Sequence, residues 1–295
     1  MTDKKLNNGC AVALGNFDGL HIGHLAVIDR TLALAGENLT ATVMLFDEHS
    51  MKAVTGEAPP KLISDEEREE ILREKGIEPF TVNFSQIREL SPQEFVEKIL
   101  INKLDAKVVV CGFNYRFGNK AKGDAKLLEE ICIEKNIRCV IINEVEIGGM
   151  PVSSTAIRNA VECGDIPKAN TMLGRNFGYA TEVIDGDKRG RTWGFPTINQ
   201  KIPEGFAVPR FGVYESVVTV EGRTYKGITN IGLRPTVGTE KILSETHILS
   251  FEGDLYGKKV DVRLIHFIRS EQKFSSFDEL ILQIKSDVDS VKGGA

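Results

Sequence analysis

The sequence predicts two domains of different class: an N-terminal α/β domain with a doubly wound parallel sheet, and a C-terminal antiparallel β-barrel with a terminal helix. The chain has 295 residues, of which 41% are hydrophobic and 27% charged, a size and composition typical of two folded globular domains. In the first half, strand and helix patterns alternate. After about Gly178, apolar residues recur at every second position, which is typical of antiparallel strands.

Four short apolar runs in the first half predict strands that are buried on both faces, because such strands read as continuous hydrophobic stretches. The runs are residues 10–14, 41–46, 107–111 and 138–142. Helix N-termini are predicted between them at Ser64 and Ser91, each followed three residues later by glutamate. This alternation favours a parallel sheet with right-handed crossovers.

The second half predicts antiparallel strands joined by tight turns. Residues 213–220 alternate between apolar and polar and are followed by Glu221 and Gly222, a pair suited to a hairpin turn. Residues 247–251 and 260–267 predict further strands. Together these patterns favour a barrel or sandwich.

A final helix is predicted after Ser276, where Glu279 completes a capping box. Its apolar face would be formed by Leu280, Ile284, Val288 and Val291. We place the domain boundary within residues 174–178, which gives domains 1–175 and 176–295.

Charge and cysteine content narrow the class of protein. The net charge of −5 argues against a general nucleic-acid-binding surface, so no nucleic acid partner is expected. No apolar run approaches the length of a membrane span, and no apolar leader follows the N-terminus. The five cysteines are odd in number and lack metal-ligand spacing, which predicts reduced thiols in a cytoplasmic protein without a zinc site.

A phosphate-binding loop is predicted at GNFDGLHIGHL, which follows the first strand and opens the first helix. Gly15 and Gly19 permit a tight turn, and Gly23 lets a triphosphate approach the backbone. His21 and His24 would lie at the helix N-terminus, where free N–H groups and two imidazoles can stabilise phosphoryl charge. A metal-binding or solvent-facing histidine pair is the alternative.

Two further segments carry groups suited to phosphates. Ser153 and Ser154 can cap a helix whose first turns carry Arg158, either as a plain N-cap with a surface arginine or as a phosphate clamp. In GDKRGRTWGFPTINQ, a glycine-rich basic loop precedes Thr197 and Asn199, which face the same side of an extended segment. Their oxygens could hold Mg²⁺ and a nucleotide phosphate, and a hairpin loop is the alternative.

The first two motifs resemble the HxGH nucleotidyltransferase superfamily and, more narrowly, the FAD synthetase module of prokaryotic bifunctional riboflavin kinase/FAD synthetases. The segment CGFNYRFGNKAKGD is similar to the flavin-site segment of that family. The resemblance implies a parallel sheet of the HxGH type and transfer of AMP from MgATP to FMN, giving FAD and pyrophosphate without a covalent intermediate. It implies catalytic roles for His21, His24 and Arg158. It implies ATP contacts at Gly15, Phe17, Gly19, Gly23, His49, Ser153 and Ser154, and flavin contacts at Asn114, Arg116 and Phe117.

The second half resembles the riboflavin kinase domain of the same family. PTIN stands at residues 196–199 where the family has PTAN, and TNIGLRPT, ETH, GDLYGKKV and FIRSEQKF follow in order. The resemblance implies phosphorylation of riboflavin by ATP, with Glu245 as the catalytic base, although alone this residue reads as a solvated strand carboxylate. It implies Mg²⁺ ligands at Thr197 and Asn199. It implies ATP contacts at Gly190 and Arg191, and flavin contacts at Asn230 and Arg269, with a surface ion pair as the alternative for Arg269.

Several departures from the family pattern fall in the first half. The family's FEPHP lacks both prolines here and carries Glu48 and Ser50, Asn114 replaces an aspartate, and Ala121 replaces a basic residue. These changes leave two alternatives to a bifunctional enzyme acting on riboflavin, FMN and ATP. One is a riboflavin kinase with a weakened N-terminal site, and the other is a flavin-binding regulatory protein that has lost catalysis.

Overall fold

The chain folds into two compact units, Met1–Ser154 and Thr155–Ala295. The computed structural model describes residues 9–47, 56–186, 190, 194–236 and 239–293. The predicted functional boundary after residue 175 stays a prediction, and the helices directly after Ser154 belong to the second unit by their contacts.

The first unit is built on a parallel five-stranded sheet. Its strands, in chain order, are β1 (Cys10–Leu14), β2 (Thr40–Phe46), β3 (Glu78–Val82), β4 (Ala106–Gly112), β5 (Arg116–Phe117), β6 (Gly123–Asp124), β7 (Arg138–Ile142), β8 (Glu146–Ile147) and β9 (Met150–Pro151). The sheet order is β3-β2-β1-β4-β7, and β5-β6 and β8-β9 form separate two-stranded pairs. All four pairings within the main sheet are parallel, which confirms the predicted class.

Helices cover both faces of this sheet. They are α1 (Ile22–Ala35), α2 (Asp65–Glu74), α3 (Phe84–Ile87), α4 (Pro92–Phe95) with a π-helical continuation (Val96–Ile101), and α5 (Ala125–Glu134), together with a 3₁₀ turn (Asn119–Ala121). Both predicted serine caps are present, since Ser64 accepts from the amide of Glu67 and Ser91 forms a full capping box with Glu94. Alternate residues of β1 belong to two separate hydrophobic clusters, as a doubly wound sheet requires.

The second unit is a closed antiparallel barrel with flanking helices. Its elements are α6 (Ser154–Cys163), α7 (Ile166–Leu173), β10 (Gly178–Ile184), β11 (Thr197–Lys201), β12 (Gly212–Val220), β13 (Arg223–Thr236), β14 (Thr239–Ile248), β15 (Lys259–Arg269) and α8 (Phe277–Gly293). The strand order around the barrel is β10-β11-β14-β13-β12-β15. The predicted hairpin turn is confirmed, because Glu221 and Gly222 both have positive φ, as a type I′ turn needs.

Alternation along the strands separates an inner from an outer face. Ile248 and Val218 share a buried cluster with Ile198, and the hydroxyls of Thr229 and Thr246 are hydrogen-bonded inside the barrel at 2.9 Å. Ile198 therefore points away from the face that carries its neighbours Thr197 and Asn199, as the sequence predicts. No helix of the described residues has the length and apolar character needed to cross a membrane.

Two candidate active sites

The loop from β1 to α1 crosses the carboxyl edge of the sheet at its topological switch point. The chain passes from β1 to β2 on one side, whereas β4 lies on the other side of β1. A crevice at the carboxyl ends of the strands is where open α/β sheets bind ligands. The loop therefore places GNFDGLHIGHL where a nucleotide is expected.

His21 and His24 form a stacked pair at the start of α1. Their ring centroids are 3.6 Å apart, and the Phe17 ring packs 5.4 Å from that of His24. His21 is itself the N-cap residue, and its Nδ1 accepts the His24 amide at 3.3 Å. This bond makes Nε2 the proton-bearing nitrogen of a neutral His21 ring, so that Nε2 can act as a donor. His21 is only 6% exposed, which fixes the ring in this orientation.

The glycines of the loop are required by its shape. Gly19 has a φ of +83°, and a Cβ there would lie 2.9 Å from Leu62. A Cβ on Gly23 would lie 3.2 Å from the His21 ring. The Ser154 hydroxyl donates to the carbonyl of Asp18 at 2.8 Å and so fastens the loop, a structural role that the sequence did not predict.

The structure describes only some of the other residues that are predicted for the adenylyl-transfer site. His49 lies outside the described residues, as do Glu48 and Ser50. Arg158 lies on α6 in the second unit and is 8% exposed, and Ser153 is half-buried just before that helix. Their contacts with ATP stay predictions.

The predicted flavin segment presents a different aromatic ring from the one that the sequence singled out. Phe117 is 6% exposed and packs between the rings of Phe95 and Tyr115. Phe113, which follows β4 directly, is 47% exposed. Asn114 is exposed, as is Arg116, which pairs with Asp124 at 3.6 Å. The exposed ring at the sheet edge is therefore that of Phe113.

The second site lies on the outer face of the barrel, where three adjacent strands bring polar groups into line. Asn199 of β11 is in register with Glu245 of β14, and Glu245 is in register with Asn230 of β13. The Glu245 carboxylate forms an ion pair with Arg234, and Asn230 donates to Glu271 at 3.5 Å. The predicted base thus lies between two amides and is held by a guanidinium.

Three glycines make room for these side chains. A Cβ on Gly186 would lie 2.3 Å from the Asn199 amide, and one on Gly232 would lie 2.1 Å from the Glu271 carboxylate. A Cβ on Gly190 would collide with the backbone of the segment that leads to Thr197. The glycine-rich pattern therefore serves close packing against the proposed site.

A cavity of about 300 Å³ adjoins Thr197. Its lining combines Gly190 and Thr197 with the inward-facing Ile198, Thr246 and Ile248, and with Phe251, Leu255 and Tyr256. The last three were not predicted, although the segment GDLYGKKV, which contains Leu255 and Tyr256, was part of the resemblance. Arg191 lies outside the described residues.

Arg269 forms an ion pair within the second unit. Its guanidinium binds Asp287 of α8 through Nε at 3.1 Å and Nη2 at 2.7 Å, and Asp287 is 4% exposed. This pair fastens the terminal helix to the end of β15. The flavin contact predicted for Arg269 stays a prediction.

Comparison with known proteins identifies both halves. The family model for FAD synthetase matches residues 3–156, and that for riboflavin kinase matches residues 173–293. A bifunctional riboflavin kinase/FMN adenylyltransferase of Listeria monocytogenes is 35% identical over 292 residues, covering 97% of this chain and 92% of the relative. One of Escherichia coli (strain K12) is 35% identical over 285 residues, covering 95% and 90%.

A crystal structure described as a macrolide-efflux protein from Streptococcus pneumoniae has the same fold throughout. It superimposes with a TM-score of 0.90 at 31% identity, covering 99% of this chain and 97% of that one. The presence of both domains supports two activities rather than the kinase-only or non-catalytic alternatives. The chain belongs to the bifunctional riboflavin kinase/FMN adenylyltransferase family, and it uses ATP to phosphorylate riboflavin to FMN and to adenylylate FMN to FAD.

Proposed function

We propose that riboflavin is phosphorylated beside β11, with Glu245 on the outer face of the barrel as the base and the cavity beside Thr197, which reaches the inner face, as the ATP site. The observation that carries this proposal is the register that aligns Asn199, Glu245 and Asn230 on three neighbouring strands. Glu245 orients the ribityl 5′-hydroxyl and takes its proton as the oxygen attacks the γ-phosphorus of ATP. Arg234 fixes the direction of the Glu245 carboxylate through their ion pair.

Thr197 and Asn199 fit a magnesium ion that is shared with ATP. Their side chains offer a hydroxyl and an amide oxygen on one face of β11, and both are hard ligands of the kind that Mg²⁺ prefers. Among the described residues, no group of three or more His, Cys, Asp or Glu could hold a metal ion. A bound Mg²⁺ would neutralise phosphate charge, and protein sites for it commonly combine one or two side chains with substrate phosphates.

Adenylyl transfer is proposed at the start of α1. The helix N-terminus, His24 and the Nε2 of His21 stabilise negative charge on the triphosphate while an FMN phosphate oxygen attacks the α-phosphorus. Pyrophosphate leaves, and no covalent intermediate with the protein is needed. Arg158 is proposed as a further triphosphate contact on sequence grounds alone.

The experiment that tests the assignment supplies purified protein with riboflavin, ATP and Mg²⁺ and separates the products by chromatography. We expect FMN first and then FAD. Chelation of Mg²⁺ by excess EDTA is expected to stop both steps, and added Mg²⁺ to restore them. FMN without FAD would contradict the adenylylation half, and turnover that persists in EDTA would contradict the metal.

The substitution Gly186→Ala tests the placement of Asn199. The added methyl would overlap the Asn199 amide, whose nitrogen lies 2.3 Å from the new Cβ position. Because displacement of a positioning group by about 1 Å can cost about a hundredfold in rate, riboflavin phosphorylation should fall at least tenfold while FMN adenylylation is unchanged. A steady-state assay of each step checks this, with Gly293→Ala as the control for glycine substitution, because its Cβ would meet nothing within 4 Å and its φ is not in the left-handed region. Equal rates for both variants would contradict a role for Asn199.

The substitution Phe113→Ala tests the flavin side of the adenylylation site. We propose that the exposed Phe113 ring stacks on the isoalloxazine of FMN, a contact that base–aromatic stacking values put at about 1–3 kcal/mol. The KM for FMN should therefore rise by about five- to a hundredfold, with a smaller change in kcat. Ile133→Ala, which removes another exposed apolar side chain of the same unit, is the matched control. An unchanged KM for FMN would exclude the stacking contact.

We further propose a cytoplasmic location without nucleic acid partners. The support is chemical: ATP is the co-substrate of both steps, all five cysteines are free thiols, and the chain has a net charge of −5.

A further inference from the structure

Three of the five cysteines meet inside the first unit, on the sheet face opposite the one against which Phe17 packs. Cys111 lies at the end of β4 and Cys132 on α5, and both are fully buried. Cys139, on β7, is partly exposed and packs against the hydrophobic cluster that contains both of the other thiols. The cluster thus has one member that solvent can reach and two that it cannot.

The three thiols differ in acidity. Hydrogen bonds from Cys111 and then Cys132 lower the pKa of the Cys139 thiol, whereas the same contacts with Cys139, followed by burial, raise the pKa of Cys111 and Cys132. A partly exposed thiol that favours the thiolate is the usual nucleophile toward oxidants. Cys139 is therefore the reactive member of the cluster.

Strand register decides which thiol can bridge to Cys139. Cys139 is paired with Val109, and Cys111 is paired with Ile141, so the two cysteines are diagonal neighbours. With strands about 4.8 Å apart and a rise of about 3.3 Å per residue, diagonal Cα atoms two residues out of register lie about 8 Å apart, whereas disulfides span about 4.4–6.8 Å between Cα atoms. A bridge between these two would need the strands to move.

Cys132 lies on a helix, so the fixed distance between strands does not limit its approach to Cys139. The backbone amide of Ile137 donates to the carbonyl of Cys132 at 2.8 Å, so the chain turns back against the end of α5 two residues before Cys139. Helix α5 packs on β7 and can adjust more readily than a strand within the sheet. Cys132 is therefore the thiol that can reach the Cys139 sulfur.

We propose that Cys139 and Cys132 form a peroxide-sensitive dithiol that controls adenylylation in the first unit. The Cys139 thiolate attacks a hydroperoxide, a sulfur–oxygen bond forms, the O–O bond breaks, and the departing oxygen takes a proton as water or an alcohol. The Cys132 sulfur then displaces hydroxide from the sulfenic acid, and the hydroxide leaves with the Cys132 proton as water. Overall, two thiols are oxidised to one disulfide and one hydroperoxide is reduced.

The cluster is joined to the proposed flavin contact through the end of β4. Cys111 directly precedes Gly112 and Phe113, and Tyr115 packs against the same hydrophobic cluster as Cys111. A disulfide holds two sulfurs about 2.05 Å apart, well inside their van der Waals contact distance, and a close-packed interior transmits such a shift. The effect on activity rests on the proposed function of Phe113, whereas the oxidation itself does not.

The test treats the reduced full-length chain with hydrogen peroxide, maps its peptides by mass spectrometry and assays both activities. We expect a linked Cys132–Cys139 peptide and a several-fold fall in FAD formation that dithiothreitol reverses. Riboflavin phosphorylation should not change, because the second unit contains only Cys163. Absence of the linked peptide, or unchanged FAD formation once it has formed, would overturn the proposal.

Two variants test whether the effect of peroxide on FAD formation depends on Cys139. Cys139→Ser should retain FAD formation in peroxide, and Cys163→Ser, at the exposed cysteine, should behave as the parent chain. If Cys139→Ser folds poorly, as shown by reduced FAD formation before treatment, Cys139→Ala takes its place. If peroxide reduced FAD formation in the Cys139 variant as quickly as in the parent chain, that result would also overturn the proposal. Failure of the parent to make FAD before any peroxide is added would instead count against the assigned function.

Discussion

Replacement of Glu245 by glutamine is expected to slow riboflavin phosphorylation by about a hundredfold or more, while FMN adenylylation continues at the parent rate. A primary alcohol is a poor nucleophile at neutral pH, so a carboxylate that orients and deprotonates it accelerates the transfer. Glutamine keeps the shape of the side chain and still accepts a hydrogen bond. It cannot take the proton, so the substitution separates base function from positioning.

The barrel offers a matched control for this substitution. Glu215 lies on another strand of the same barrel, is 18% exposed compared with 20% for Glu245, and pairs with His266 at 2.9 Å. Glu215→Gln should therefore remove a similar charge without loss of phosphorylation. Two parallel assays decide the matter, one with riboflavin and one with FMN, each with MgATP. Near-parent phosphorylation by Glu245→Gln would show that positioning suffices without a base at this residue.

The ion pair between Glu245 and Arg234 adds a second readout to the Glu245→Gln experiment. Glutamine removes the carboxylate charge that pairs with Arg234, so any structural disturbance should spread along β13 to Asn230 and weaken riboflavin binding. Loss of a base instead lowers kcat with little change in KM. The division between kcat and KM therefore distinguishes the proposed proton transfer from a repacked pocket.

The parts of the fold that follow from local pattern were predictable. The continuous apolar runs of β1, β2 and β4 mark strands buried on both faces, and Glu221-Gly222 marks a hairpin. The run of β7 also marks a strand, but the predicted burial of both its faces was wrong, because β7 lies at the sheet edge and none of its residues is fully buried. Strand β3 was missed because EPFTV contains a proline and lies at the sheet edge, where only Val82 is buried. An edge strand needs no continuous apolar run, so its sequence lacks the signal.

The sites were predictable by residue type but not by contact. Sequence placed the histidines near a helix N-terminus, yet His21 is itself the cap, a position at which serine, threonine, aspartate and asparagine are preferred. It singled out Phe117, although the direction of a ring beyond the end of β4 depends on backbone turns that no periodicity reports. The partner of Arg269 lies 18 residues away on α8, and only the packed helix reveals it.

The substitution His24→Ala is expected to reduce FAD formation by about a hundredfold or more, with FMN formation unchanged. His24 follows the N-cap of α1, at the switch point of the sheet, where charge on a transferring adenylyl group would gather. Removal of one donor to such charge typically costs that much in rate. His21→Ala is a poorer test, because the same side chain also caps the helix and its loss would disturb the backbone that carries His24.

His266→Ala supplies the control, since it removes an imidazole that is 48% exposed on the barrel. With FMN as substrate, the His24 variant should lose kcat far more than it raises the KM for ATP, because the donor acts on charge that develops during transfer rather than on bound ATP alone. With riboflavin as substrate, the variant should accumulate FMN and stop there. A parallel fall in FMN formation, with the chain still folded, would mean that the two units do not work as separate active sites.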